Sequence, residues 1–133
     1  MERLHIRAII EILGYPKDHI ENTMELILKK LKEEKDVEYL SDKIHEAKET
    51  GKLFSTFAEV EFKLPTLENL IDFCFNYMPS SIEILSPEKF NLETSEVSGF
   101  LNDLMARLHR TDMLLKNIIA ENKVLKIELE KKK

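Results

Sequence analysis

The chain has no tryptophan and no glutamine, and only one cysteine, three glycines and four prolines in 133 residues. A single thiol, Cys74, excludes an intrachain disulfide and with it a disulfide-stapled small domain; a reducing, cytoplasmic compartment is expected. Cys74 lies in the apolar run Ile71 to Phe75, where the expected role is a small buried hydrophobe. No base is placed beside it to make it a nucleophile. The scarcity of glycine and proline excludes collagen-like and low-complexity chains. No apolar run approaches the roughly 18 residues needed to cross a bilayer. After Met1-Glu2-Arg3-Leu4-His5 the apolar stretch is soon broken by charge, which does not fit a signal peptide. No membrane contact is expected.

Enough apolar material is present for a core: 43% of residues are hydrophobic and 34% charged. The length fits one compact domain with little left over. The net charge of −5 is unevenly placed. Residues 1–90 carry 12 basic and 18 acidic groups, and residues 91–133 carry 8 and 7. Five lysines against two glutamates in the last eleven residues put any basic patch at the C-terminal end. An acidic chain repels phosphate backbones, so nucleic acid is not an expected partner. Sixteen lysines and nineteen glutamates without glutamine follow a thermophile tendency, against which stand seven asparagines and five methionines.

The pattern of residues 3–13 alternates as a strand, with Leu4, Ile6, Ala8, Ile10 and Ile12 on one face. Gly14-Tyr15-Pro16 breaks it. Ile20, Met24, Ile27 and Leu31 then predict a helix over 16–33. Residues 36–64 read as a hairpin. With Thr50-Gly51 as its loop, Val37 faces Leu64, Tyr39 faces Phe62, Ser41 faces Val60, Ala47 faces Phe54 and Asp42 faces Glu59. Pro65-Thr66 opens a second helix, which Pro79 ends, and Ser81 to Leu85 form a last short strand. Val37-Glu38-Tyr39-Leu40-Ser41 echoes Ile82-Glu83-Ile84-Leu85-Ser86, so β-α-β occurs twice. The expected fold is α+β: a ferredoxin-like βαββαβ domain over 1–90, with a four-stranded antiparallel sheet and two helices on one face. A long C-terminal helix over 91–133 follows it.

That helix carries the strongest signal. Heptad position a holds Leu101, Leu108, Leu115, Asn122 and Leu129, and position d holds Val97, Leu104, Thr111, Ile118 and Leu125. Such a run predicts a coiled coil. In a parallel pair, the g to e′ contacts Arg107–Asp112, Glu121–Lys126 and Glu128–Lys133 are all of opposite charge. Asn122 meets its own symmetry mate only in a parallel, in-register pair. Leu114, Ile119 and Met113 widen the apolar surface and leave a trimer, a tetramer or an antiparallel pair open. Gly99 weakens the helix start by about 1 kcal/mol and is where the helix is expected to leave the domain.

Little else points to chemistry. None of His5, His19, His45 and His109 belongs to a close ligand pair, so no metal and no cofactor is expected. His109 reads as solvated surface, and His5 and His45 fall on opposite sheet faces in the register above. Asp42 opposite Glu59 is a candidate carboxylate pair. Ser55 to Phe62 resembles the third-strand motif of RNA-recognition domains, in which exposed aromatics stack bases. Phe57 matches, but Glu59 stands where the second aromatic would be. Gly14-Tyr15-Pro16 entering a helix resembles the corresponding turn of ACT-type regulatory domains, which implies a small ligand bound where two domains meet. Ile9, Leu13, Leu40, Ile44 and Phe57 are expected on the sheet face away from the helices, more apolar surface than is left wet. The expected function is a non-catalytic homodimeric scaffold or adaptor, joined through the coil and holding a further protein. An ACT-like ligand-binding domain is the alternative.

Overall fold

The computed structural model describes residues 2–132. The chain divides between Phe90 and Asn91 into two compact units. The first contains β1 (Leu4–Gly14), α1 (Lys17–Glu33), β2 (Glu38–Ile44), β3 (Lys48–Thr50), β4 (Leu53–Leu64), α2 (Leu67–Tyr77) and β5 (Ser81–Ser86). The second is a single helix, α3 (Thr94–Lys131). The strands form one antiparallel sheet in the order β2-β4-β1-β5, with β3 also paired to β4.

Strict alternation explains β1. Leu4, Ile6, Ala8 and Ile10 are at most 2% exposed, and each stands opposite an apolar residue of β4: Leu64, Phe62, Val60 and Ala58. Both helices cover this face. α1 contributes Ile20, Met24, Leu28 and Leu31, and α2 contributes Leu70 and Phe73. Leu28 takes the fully buried place that the spacing assigned to Ile27, which packs at the rim of the core. The Phe73 ring lies 4.7 Å from that of Phe62 and 5.0 Å from that of Tyr77. The Tyr77 hydroxyl donates to Glu34 at 2.6 Å, which ties the end of α2 to the end of α1.

Local chemistry sets the helix ends. Thr66 caps α2, its hydroxyl oxygen accepting from the Asn69 N–H at 3.1 Å. α2 stops at Met78, whose φ of 47° lies in the left-handed region, one residue before Pro79. Its N–H donates to the Cys74 carbonyl at 3.0 Å. Where β1 turns into α1, a Cβ on Gly14 would lie 2.9 Å from Cγ2 of the buried Ile20. Only glycine lets the strand end this close to the helix.

The hairpin corrects the sequence-based register. Glu38 and Tyr39 do face Lys63 and Phe62, but a bulge at Leu40 shifts the pairing, so that Ser41 faces Glu61, Asp42 faces Val60 and Lys43 faces Glu59. A second break over residues 45–47 separates β2 from β3. Lys48, Glu49 and Thr50 then face Ser55, Phe54 and Leu53, and the loop is Gly51-Lys52 rather than Thr50-Gly51. Gly51 has the positive φ of 63° that this turn requires. The second break is stitched to β4: the His45 N–H donates to the Phe57 carbonyl at 2.9 Å, and the buried Thr56 hydroxyl donates to the His45 carbonyl at 2.6 Å. The expected four strands are therefore five.

Candidate functional site

Two surfaces stand out, each within its own unit. The first is α3. Glu93 and Glu96 form a capping box at its start, and 38 helical residues follow without interruption, about 57 Å at 1.5 Å per residue. The helix runs through Gly99, where a Cβ would meet nothing within 4 Å. No residue of α3 is buried. Along the a and d positions Leu104 is half-buried, and Val97, Leu101, Leu108, Thr111, Leu115, Ile118, Asn122, Leu125 and Leu129 are exposed. Ile118 is 61% and Leu129 63% exposed.

The helix also satisfies several of its own polar groups. The Thr111 hydroxyl donates to the Arg107 carbonyl at 3.0 Å, so this polar d residue needs no partner across the seam. Arg107 pairs with Asp103 at 3.1 Å and Lys116 with Asp112 at 2.8 Å, both one turn apart. Within one chain, therefore, Arg107 and Asp112 each have a neighbour other than the one expected across a dimer. Glu121, Lys126 and Glu128 are exposed, and Lys133 lies outside the described residues.

The second surface is the sheet face away from α1 and α2. The odd-numbered residues of β1 and β4 point there, and the register brings Arg7 between Glu61 on β4 and Glu83 on β5. Arg7 donates to Glu61 Oε1 from Nη2 at 2.9 Å and from Nε at 3.2 Å. It also reaches Glu83 Oε2 at 3.4 Å. His5 Nε2 meets the other Glu61 oxygen at 3.1 Å. Hydrogen bonds from Arg7 and then His5 hold the Glu61 carboxyl below its ordinary range, and Glu61 in turn raises the Arg7 guanidinium.

Beside this network the His45 ring stacks on Phe57 at 4.0 Å, with Nε2 3.7 Å from Glu59. His45 therefore shares the face of His5 rather than the opposite one, because the bulge at Leu40 shifts the register and brings His45 opposite Phe57. Asp42 and Glu59 do not form a carboxylate pair: Asp42 accepts from the Tyr39 hydroxyl at 2.6 Å and lies 3.5 Å from Lys32, and Lys43 stands opposite Glu59. Burial and then Asp42 push the Tyr39 phenol upward. Phe57 is stacked by His45, and Glu59 is the next outward residue along β4.

Of the apolar residues expected on this face, Ile9, Leu13 and Phe57 lie there. Ile44 stands opposite the buried Ala58, on the helix side, moved by the bulge. Leu40 sits at the bulge itself, 44% exposed. The Arg7–Glu61–Glu83–His5 network was not anticipated from sequence. Its signal is the row of charges at alternate positions of two long strands, readable only once β1 and β4 are known to be neighbours. Burial raises the thiol of Cys74, away from the thiolate a nucleophile needs. Among the described residues, no group of three or more His, Cys, Asp or Glu is arranged to hold a metal ion, and no helix is long and apolar enough to cross a membrane.

Comparison with known proteins finds one family model, described as the MJ0538 family, which matches residues 5–133. No curated protein and no solved structure matches the chain.

Proposed function

The chain belongs to the MJ0538 family, and we propose that it is a non-catalytic cytoplasmic assembly module, a homodimer joined through a parallel coiled coil of α3. The observation that carries this reading is the a and d seam. Eight of its ten positions from Val97 to Leu129 are aliphatic, and Leu101, Leu115, Ile118, Leu125 and Leu129 are each more than half exposed on the single chain. Apolar surface of this length gains most from burial against a second helix of the same pattern. Parallel pairing is favoured by the opposite charges of Glu121 with Lys126 and by Asn122 meeting its mate. Counting β2 and β3 as one interrupted strand, the order β2-β4-β1-β5 supports a ferredoxin-like first unit, carried twice in the dimer and free to hold a further protein.

Solution mass by light scattering tests the proposal on the full chain and on Leu115→Asp, which puts a charge in the middle of the seam. The expected result is twice the chain mass for the first and the chain mass for the second. A full chain of single mass, or a variant of unchanged mass, overturns the coil as the joining element.

A second reading, an ACT-like regulatory domain, is favoured by the tight Gly14 turn into α1 and by Tyr15, which is 67% exposed beside it. A thermal-shift screen with amino acids and nucleotides separates the two readings: a rise in melting temperature supports ligand sensing, and none at millimolar ligand removes it.

A further inference from the structure

We infer that the outward face of α3 is a docking surface for an acidic amphipathic helix of another protein. This rests on the proposal that the a and d seam is the self-pairing face, which leaves positions b, c and f pointing away from it. In a two-stranded coil those positions are normally polar. Here every f position from residue 106 to 127 is apolar: Ala106, Met113, Ala120 and Ile127, with Val124 alongside at c. Met113 is 65%, Val124 53% and Ile127 52% exposed.

The charges beside this stripe are of one sign. Over residues 106–127, positions b, c and f hold Arg110, Lys116 and Lys123 and no aspartate or glutamate. The carboxylates of the same stretch, Asp112 and Glu121, sit at e and g beside the self-pairing seam. Lys116 meets Asp112 at 2.8 Å, but the two side chains are 73% and 52% exposed, and so open a pair is readily exchanged for a better one.

Charge decides the occupant. A second copy using the same stripe would set cations against cations in either helix direction. A nucleic acid would use the cations and leave Met113, Val124 and Ile127 wet. A bilayer would take both, but membrane-lying helices present a broad apolar face with aromatic anchors, and this stripe is narrow and has none. An acidic helix with apolar residues at i, i+3 and i+7 meets both the apolar stripe and its basic margins.

The test uses the full chain and a fluorescent designed peptide of leucine and glutamate heptads, compared with the same peptide carrying lysine for glutamate and with phosphatidylserine vesicles. Anisotropy is expected to show the glutamate peptide binding at least about tenfold more tightly than the lysine peptide, a difference of about 1.4 kcal/mol. Lys116→Glu with Lys123→Glu, and separately Met113→Ser with Ile127→Ser, should each lose that binding at unchanged mass by light scattering. Equal binding of both peptides, binding unchanged in either double variant, or binding to vesicles without binding to the peptide overturns the proposal. Neither double variant touches a or d. A monomeric wild type would therefore remove the self-pairing reading, while the two variants still decide the outward stripe.

Discussion

Glu61 serves two partners at once, one through each carboxylate oxygen: the Arg7 guanidinium at 2.9 Å and the His5 ring at 3.1 Å. Its carboxyl is held below the ordinary range, so its contribution to stability is present above the unfolded-state pKa and is lost as pH falls through the lower folded-state value. Glu61→Gln should therefore melt at a lower temperature than wild type at pH 7, with the gap closing in acid as the native carboxylate is protonated. Thermal melts of both proteins from pH 7 to 3 check this, and a gap independent of pH would show that the carboxylate charge is not what matters. The shift should be small, because surface ion pairs are screened. Glycine gives a sharper contrast. Gly14→Ala forces a methyl against the buried Ile20, where the gap is only 2.9 Å, and should cost about 1–3 kcal/mol as overpacking does. Gly99→Ala meets no atom within 4 Å in the first turns of α3, and should stabilise the helix by about 0.5–1 kcal/mol. Urea denaturation followed by circular dichroism reads both signs; a Gly14→Ala chain as stable as wild type would mean the strand end can move away.

Within the hairpin, Thr56 decides more than its size suggests. Among the described residues of the first unit it is the one buried polar residue, and its hydroxyl is held by the carbonyl of His45 at 2.6 Å, at the point where β2 gives way to β3. Thr56→Val keeps the shape and removes the bond. A loss of about 1–2 kcal/mol is expected, with faster amide exchange over residues 45–50 than elsewhere in the sheet; unchanged protection there would show that the backbone bond of His45 alone holds the break. The same break marks the limit of what the sequence discloses. β1, α1 and α2 are legible because their apolar residues repeat at 2 or 3.6 along one segment, and burial follows that repeat with small departures such as Leu28 in place of Ile27. Hairpin register depends on where extra residues are inserted, and no periodicity records a bulge at Leu40 or a break at 45–47. Three placements turn on it: an unbulged hairpin sets Asp42 against Glu59, Ile44 on the open face and His45 on the helix side, and the shifted register changes all three. The Arg7 network was hidden for a related reason. β1 and β4 are joined by no short turn, so nothing local specifies that Arg7 stands opposite Glu61. The long helix α3 needs no such long-range knowledge, because a helical repeat is written in its own segment.

At the scale of the whole molecule, the proposed dimer makes Asn122 the residue where stability and specificity oppose each other. Flanked along the seam by Ile118 and Leu125, it places an amide where every neighbouring a or d residue is aliphatic. Burying it costs free energy unless the two amides of a parallel, in-register pair bond each other; a slipped or antiparallel pair, or a larger bundle, leaves an amide without that mate. The apolar residues at the flanking g and e positions, Leu114 and Ile119, enlarge the seam and would favour such larger bundles. In the proposed dimer Asn122 is thus the element expected to hold the number of helices at two. Replacing it with leucine should raise the melting temperature and at the same time broaden the mass distribution beyond the dimer, because the penalty on every competing arrangement is removed. Light scattering coupled to size exclusion, with thermal melts at two protein concentrations, separates these effects. Wild type should give a single species whose melting temperature rises with concentration, and Asn122→Leu a more stable mixture. A variant that melts at the wild-type temperature and remains a single species would show that residue 122 faces solvent, and would move the seam off the a and d positions altogether.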